Sequence, residues 1–328
     1  MRLPNFEFHE PSTIKEALSI LGDGKDVHLL AGGTDLIPRM KFGLEQPKAL
    51  ISLKGVDGLG GIKAKGREVY IGAMTPLADL FSSALIKEAF PALHQAVEAV
   101  AAPPIWNRAT LGGNIFQNSR CFFYNQSRVW RVERPPCAKA GGTVCHAVPK
   151  GKKCFSVYSG DLAPALIAFG AESITEGAEG VKRSPIWSLF TGNGLSPFAL
   201  KPDEILTGVV IPESPKLSGS SYVKLRMRPS VDYPLVSAAA TVTVGKNGKL
   251  KRAALVVGAA GPRPVYRGAD KFVAGKTIDE VDLDEVAEVL RKETMMVDNL
   301  ALSGAYRRRM VPVVVKKAFQ AAVEGIIR

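Results

Sequence analysis

The chain has 328 residues, 46% of them hydrophobic and 23% charged, so it can bury two or three cores, and wholesale disorder is excluded. No apolar run approaches the roughly 18 residues of a membrane span, and no secretory h-region follows Met1, so we expect a cytoplasmic location. The net charge of +12 indicates an acidic partner, either nucleic acid or a negatively charged protein or coenzyme, and a basic surface that only meets solvent is a common alternative.

The first 60 residues predict a compact strand–loop–helix–strand unit. A capped, amphipathic helix is expected over residues 11–21, followed by a short apolar strand at Val27–Leu30. The loop Ala31-Gly-Gly-Thr-Asp35 comes next, and a second helix opens at Leu36. Another strand is predicted at Ala49–Leu53, which completes the unit.

The middle of the chain predicts a hairpin followed by helices. The hairpin spans Gly60–Met74, and helices are expected over Leu77–Leu85 and Ala92–Ala101. A second glycine cluster, Thr110-Leu-Gly-Gly-Asn114, follows them. Beyond the cysteine-containing stretch, the apolar residues 161–171 predict a buried helix that turns at Gly170.

The C-terminal part begins after a linker rich in Pro, Ser and Gly at residues 212–220. The expected strands are Ser221–Met227, Ala239–Val244 and Ala253–Val257. Lys246-Asn-Gly-Lys249 is a hairpin turn between the last two strands. A helix is predicted around Leu283–Leu290 and a final one from near Pro312. The basic run at Tyr306–Arg309 is expected to be a solvated helix start.

Both glycine clusters have the composition of an anion-binding loop. Glycine permits positive φ and close backbone approach, so several N–H groups can converge on a phosphate. Two such loops could hold the two phosphates of a dinucleotide, although the spacing alone favours a pair of tight turns. The chain has neither G-x-G-x-x-G after a strand nor a P-loop, so Rossmann and P-loop folds are unsupported.

All four cysteines lie within residues 120–154, a stretch that also contributes +7 of the net charge. Their spacing is C-x15-C-x7-C-x8-C, without the close pair of a structural zinc site or the bacterial ferredoxin run. A four-thiolate site is therefore indicated, but zinc, a [4Fe–4S] cluster and buried thiols all remain open. His146 is an alternative ligand.

Taken together, the motifs resemble the FAD-binding (medium) subunits of the xanthine dehydrogenase family of molybdenum hydroxylases. The resemblance covers essentially the whole chain and rests on Ala31–Leu36, Thr110–Ile115, Gly160–Leu166 and Lys224–Arg228 in this order. The family members with a four-cysteine insertion at this place are the β subunits of 4-hydroxybenzoyl-CoA reductases, where it binds a [4Fe–4S] cluster. The resemblance therefore favours iron–sulfur over zinc.

The fold that the resemblance implies is α+β. It comprises a two-part FAD-binding domain of the PCMH/vanillyl-alcohol-oxidase-like type, over residues 1–57 and 58–215, with the insertion at about 119–157. Residues 216–328 would form a C-terminal α+β domain with a three-stranded sheet and helices.

The resemblance also implies roles for individual residues. Loop residues would bind the FAD pyrophosphate through backbone N–H groups: Leu29, Leu30, Ala31, Gly32, Gly33, Thr34, Asp35 and Leu36. A second phosphate loop would comprise Thr110, Gly112, Gly113 and Asn114. Asp161 would bind the adenosine or ribityl side, and Lys224 would lie near the isoalloxazine. The cluster ligands would be Cys121, Cys137, Cys145 and Cys154.

The implied function is electron transfer without a substrate site on this chain. A ferredoxin would donate electrons, which would pass through [4Fe–4S] and FAD to a small [2Fe–2S] subunit and a large molybdopterin subunit, in a dimer of heterotrimers. The product would be benzoyl-CoA from 4-hydroxybenzoyl-CoA. An alternative is a xanthine-dehydrogenase-like hydroxylase of a purine or another aromatic. A zinc-stabilised nucleic-acid-binding protein is a distant alternative, and we expect neither nucleic acid nor a membrane span.

Overall fold

The N-terminal unit forms as its sequence predicts. In the computed structural model, which describes residues 2–24 and 26–327, its elements are β1 (Glu7–His9), α1 (Ile14–Asp23), β2 (Val27–Leu30), α2 (Leu36–Lys41) and β3 (Ala49–Ser52). The strands pair in parallel in the order β1-β3-β2. Thr13 caps α1 in a reciprocal capping box with Glu16, which fixes the start of the helix. Because β2 runs directly into residues 31–35, the first glycine loop lies at the end of this sheet.

The central part is built on a five-stranded antiparallel sheet in the order β4-β5-β8-β6-β7. Its elements in chain order are β4 (Ile62–Lys65), β5 (Glu68–Gly72), α3 (Leu77–Ser82), α4 (Ala84–Ala89), α5 (Pro91–Glu98), α6 (Pro103–Trp106), α7 (Leu111–Ile115), α8 (Arg128–Val132), α9 (Leu162–Ala168), β6 (Glu172–Gly177), β7 (Gly180–Pro185) and β8 (Ile205–Pro212). Gly170 ends α9 with a φ of 69°, at the predicted turn.

One helix predicted in this part is wrong in its extent. The expected helix at Leu77–Leu85 is divided into α3 and α4, because Ser83 between them has an extended ψ of 114°. The Ser83 hydroxyl accepts a hydrogen bond from the N–H of Ile86 and so caps α4. Serine competes with the helix backbone in this way, and the local bond outweighs the apolar periodicity.

The C-terminal part carries a four-stranded antiparallel sheet in the order β12-β11-β10-β9. Its elements are β9 (Ser218–Leu225), β10 (Val236–Val244), β11 (Leu250–Gly258), β12 (Val265–Gly268), α10 (Asp270–Val273), α11 (Leu283–Glu293) and α12 (Gly304–Ile327). The predicted three-stranded sheet is therefore wrong by one strand. The missed strand, β12, is short, pairs only with β11 and follows a turn containing Pro262 and Pro264, a composition typical of loops.

The last helix begins earlier than its sequence indicates. α12 starts at Gly304 and continues through Pro312, which lies inside it. The Tyr306–Arg309 run is consequently in the helix, and Arg307 is fully buried instead of solvated. Buried Val311, Val315 and Phe319 pack α12 on the C-terminal sheet, and this packing outweighs the hydrogen bond that proline cannot donate.

A continuous core connects the central and C-terminal parts. Leu93 of α5 and Leu166 of α9 lie in the same buried cluster as Tyr222, Ala239 and Val256 of the C-terminal sheet. No helix within residues 2–24 and 26–327 is long and apolar enough to cross a membrane.

Candidate flavin and thiol sites

The two glycine loops line one groove of about 530 Å³, although 74 residues lie between Leu36 and Leu111 in the sequence. The groove runs between the N-terminal sheet and the start of α7. The predicted residues that line it are Leu29, Ala31, Gly32, Gly33, Thr34, Asp35, Leu36, Thr110, Gly112 and Gly113. The fold thus brings most of the predicted phosphate-binding residues together.

The glycines in these loops are required by close backbone packing. A Cβ on Gly32 would lie 1.7 Å from the carbonyl oxygen of Arg108, just before the second loop. Gly33 has a φ of 75°, which favours glycine, and a Cβ on Gly112 would lie 3.0 Å from the carbonyl oxygen of Ala73. The pairs of glycines therefore let one loop lie against the other, and they do more than form independent turns.

The two loops differ in the hydrogen bonds they can offer a ligand. Gly112 donates its N–H to Ala73 at 2.8 Å, and Gly113 donates to the Thr110 hydroxyl at 3.1 Å. Among the described residues, none accepts a hydrogen bond from the N–H groups of Gly32, Gly33 or Thr34, which are partly exposed in the groove. These free donors fit a phosphate, whereas the second loop mainly supplies the opposite wall.

Four predicted flavin residues are not among those lining the groove. Leu30 lies on β2 beneath it, and the side chain of Asn114 accepts a hydrogen bond from the N–H of Leu162 at 3.2 Å, which caps α9. Asp161 and Lys224 pair with each other, with 3.0 Å between Oδ2 and Nζ. The expected contacts of these four residues with FAD stay predictions.

The Asp161–Lys224 pair joins the central part to the C-terminal sheet. The Asp161 carboxylate also accepts a hydrogen bond from the Tyr222 hydroxyl at 2.6 Å, and Lys224 donates to the carbonyl oxygen of Ala99 at 2.8 Å. Burial raises the pKa of Asp161, while Lys224 and Tyr222 act in the opposite direction. The pair is a buried, hydrogen-bonded link between the two parts.

The four cysteines border one narrow cavity in the structure. Tyr124, Lys139 and His146 line the same cavity. All four thiols are free, and burial raises the pKa of Cys121 to about 11. In the described part of the chain, no three His, Cys, Asp or Glu side chains form a group that could hold a single metal ion. His146 is engaged elsewhere, since its Nε2 lies 2.8 Å from the carbonyl oxygen of Pro135.

The cysteine segment, defined here as residues 121–156, leaves and re-enters the central part at neighbouring points. Arg120 and Val157 form an isolated antiparallel bridge with two backbone hydrogen bonds of 2.7 Å. Asn299 then holds both ends from the C-terminal part: its carbonyl oxygen accepts from Phe122 at 2.7 Å, and its side-chain amide donates to Phe155. The segment is therefore an excursion closed at its base, next to Cys121 and Cys154.

Three supporting residues were missed by the sequence reasoning. Arg307 is buried and donates to the side-chain oxygen of Asn299 at 3.3 Å, so it fixes the residue that holds the segment. The three N–H groups of Lys139 lie within hydrogen-bond distance of five oxygens beside the thiol cavity. The sequence signal for the role of Lys139 was its position two residues after Cys137. No local pattern indicated a supporting role for Asn299 or Arg307.

Comparison with known proteins identifies the family. Residues 4–214 match the family described as the FAD binding domain in molybdopterin dehydrogenase. The chain belongs to this family of FAD-binding subunits. Residues 221–322 of this flavoprotein match a second family, the CO dehydrogenase flavoprotein C-terminal domain.

Relatives of this FAD-binding subunit match three quarters or more of its length. It is 28% identical to the carbon monoxide dehydrogenase medium chain of Hydrogenophaga pseudoflava, over 97% of each chain. It is 31% identical to an aldehyde oxidoreductase FAD-binding subunit of Escherichia coli, over 75% of this chain and 80% of the relative. The solved CO dehydrogenase of Oligotropha carboxidovorans superposes with a TM-score of 0.80 at 26% identity, covering 99% of this chain and 100% of the other. The predicted α+β flavoprotein fold is confirmed.

Proposed function

We propose that the chain is an electron-transfer subunit that carries both FAD and a [4Fe–4S] cluster, in a molybdenum-containing 4-hydroxybenzoyl-CoA reductase. One observation carries the proposal: a flavoprotein of this family has a closed excursion in which four thiols border one cavity. Cys121, Cys137, Cys145 and Cys154 would ligate the cluster, since four thiolates are its usual ligand set. When bound, such a cluster supplies one-electron transfer.

The four thiols supply the number and type of ligand that a four-iron cluster needs. Such a cluster takes one thiolate at each iron, and all four cysteines border the same cavity. Zinc also accepts four thiolates, so the choice of the cluster rests on the family resemblance and on the iron and sulfide analysis that tests it.

FAD would bind with its pyrophosphate at the first glycine loop. The unpaired N–H groups of Gly32, Gly33 and Thr34 would donate to phosphate oxygens, and Thr110, Gly112 and Gly113 would close the other side of the groove. Asp161 would bind the adenosine or ribityl side of FAD, and Lys224 would lie near the isoalloxazine. A ferredoxin would be the electron donor, and the acceptors would be the small [2Fe–2S] and large molybdopterin subunits of a dimer of heterotrimers.

The test is a reconstituted three-subunit complex. Supplied with reduced ferredoxin and 4-hydroxybenzoyl-CoA, it should form benzoyl-CoA, and replacing Cys145 with Ala in this chain should abolish that turnover while FAD is retained. A complex that is fully loaded with cofactors but forms no benzoyl-CoA would refute the proposed substrate.

The second candidate is the FAD subunit of a hydroxylase for another aromatic compound or a purine. The names of the relatives support only its coarser part, an oxidoreductase with a substrate other than 4-hydroxybenzoyl-CoA, because they describe a carbon monoxide dehydrogenase and an aldehyde oxidoreductase. The same complex should then reduce an artificial acceptor when given xanthine, nicotinate or an aromatic aldehyde. Acceptor reduction without benzoyl-CoA formation would select this candidate.

A further inference from the structure

A lysine ammonium lies between the thiol cavity and the base of the cysteine segment. Lys139 is on a short 3-10 turn, Ala138–Ala140, directly after Cys137. Its Nζ donates to Asn118 Oδ1 at 2.8 Å and to the carbonyl oxygen of Gly194 at 2.9 Å. The remaining acceptors are the Ser119 hydroxyl, the Ser119 carbonyl oxygen and the Ser156 hydroxyl. All five acceptors are uncharged.

Among the described residues, no carboxylate pairs with this ammonium. No Asp or Glu oxygen of those residues lies within 4.0 Å of the Lys139 Nζ, and Asp35, which accepts from the N–H of Asn118, is already paired with Arg39 and Arg120. The Lys139 side chain is partly buried. Holding a cation away from water is costly unless a negative charge compensates it.

The compensating charge that the fold can provide is at the thiols. Lys139 lines the same cavity as the four cysteines, and the Ser156 hydroxyl, which accepts from Lys139 at 3.3 Å, also lies 3.3 Å from the sulfur of Cys154. A four-thiolate cluster is anionic and becomes more so when it gains an electron. A fixed cation beside it stabilises the reduced form more than the oxidised form.

From this geometry we propose that Lys139 is the positioning residue that raises the reduction potential of the thiolate cluster. The inference rests on the proposed function, because it requires the cluster to be present. Reduction adds one electron, supplied in the laboratory by dithionite, which is itself oxidised to sulfite, and no bond of the protein is broken. Lys139 therefore makes the site a better electron acceptor without touching the donor.

The test compares variants of the purified chain reconstituted with iron and sulfide. Lys139→Met and Lys139→Gln remove the charge, Lys139→Arg keeps it, and Lys152→Met is the control at an exposed lysine of the same segment. A potentiometric titration followed by electron paramagnetic resonance gives the midpoint potential. We expect an electron affinity about tenfold weaker in both uncharged variants, equal to about 59 mV for a one-electron couple. Lys139→Arg and Lys152→Met should match the wild type.

Each other outcome is informative. Uncharged variants that hold the cluster at the wild-type potential overturn the inference and leave the proposed function intact. If the uncharged variants hold no cluster, the Lys139→Arg variant decides. A cluster retained by Lys139→Arg supports the need for a positive charge at this position, and a cluster lost from Lys139→Arg as well overturns the inference. Wild-type chain that binds FAD but no iron refutes the proposed cluster and this inference together.

Discussion

Nη1 of Arg120 lies 3.3 Å from Oδ1 of Asp35, and this ion pair joins the base of the cysteine segment to the first glycine loop. The guanidinium of Arg120 also lies over the ring of Tyr233, 4.1 Å from its centre. The N–H of Asn118 donates to the other oxygen of Asp35 at 3.3 Å. The candidate thiol and flavin sites are thus connected by one short set of polar contacts.

Replacing Arg120 with Gln should weaken FAD binding about tenfold. The partly buried Asp35 would lose one cation partner, and a loss of about 1.4 kcal/mol in holding the glycine loop corresponds to that factor. Fluorescence titration of the flavin-free chain measures it. Arg128→Gln, at an exposed position on the same segment, is the control, and equal affinities in the two variants would show that the ion pair does not hold the loop.

Replacing Gly32 with Ala should abolish FAD retention, because the new Cβ would lie 1.7 Å from the Arg108 carbonyl oxygen and would separate the two loops. Gly113→Ala should have a smaller effect, since its Cβ would meet the Thr110 hydroxyl oxygen at 3.0 Å. Gly60→Ala is a matched control with no atom within 4 Å. The ratio of FAD to chain after purification should follow this order, and full retention by Gly32→Ala would contradict it.

Replacing Lys224 with Met should lower the free energy of unfolding by about 3 kcal/mol, because it leaves the buried Asp161 carboxylate without its cation. Urea unfolding of the flavin-free chain measures this loss, with the exposed Lys249→Met as control. A purely structural role predicts the same loss with and without FAD. A loss that appears only in the FAD-bound protein would instead support the predicted contact of Lys224 with the flavin.

Sequence patterns predicted the elements that local chemistry determines. The capped start of α1, the turn at Lys246–Lys249 and the glycine loops all carry their signal within a few residues. Apolar periodicity located the parallel unit and the helix before Gly170. The family resemblance, carried by motifs spread along the chain, was needed to interpret these elements as a flavoprotein.

Features set by contacts between distant residues could not be predicted in this way. Arg307 belongs to a basic run whose composition is typical of a solvated surface, yet its partner Asn299 makes it part of the support of the cysteine segment. Likewise, the Asp161–Lys224 pair joins residues 63 positions apart, which local patterns do not encode. The short strand β12 was missed because its β11 partner determines it more than its own residues do.

The exposed lysines of the cysteine segment should guide an acidic electron donor. Replacing Lys150, Lys152 and Lys153 together with Gln should slow reduction by ferredoxin and flatten its dependence on salt, because exposed charges act mainly on the association rate. Stopped-flow measurements at several salt concentrations test this. A second triple Gln variant, at the exposed Lys246, Lys249 and Lys251, has the same net charge as the first variant. Its reduction rate should equal that of the wild type. Equal rates in both triple variants at low salt would exclude docking at these lysines.

Chemical analysis of the purified chain tests whether it carries FAD and a [4Fe–4S] cluster together. FAD, iron and acid-labile sulfide are measured on the same sample, for the wild type and for Cys145→Ala. We expect about one FAD with about four iron and four sulfide per wild-type chain, and loss of the iron and sulfide with retention of FAD in the variant. Wild-type protein that carries FAD without iron or sulfide, even after anaerobic reconstitution, would contradict this expectation.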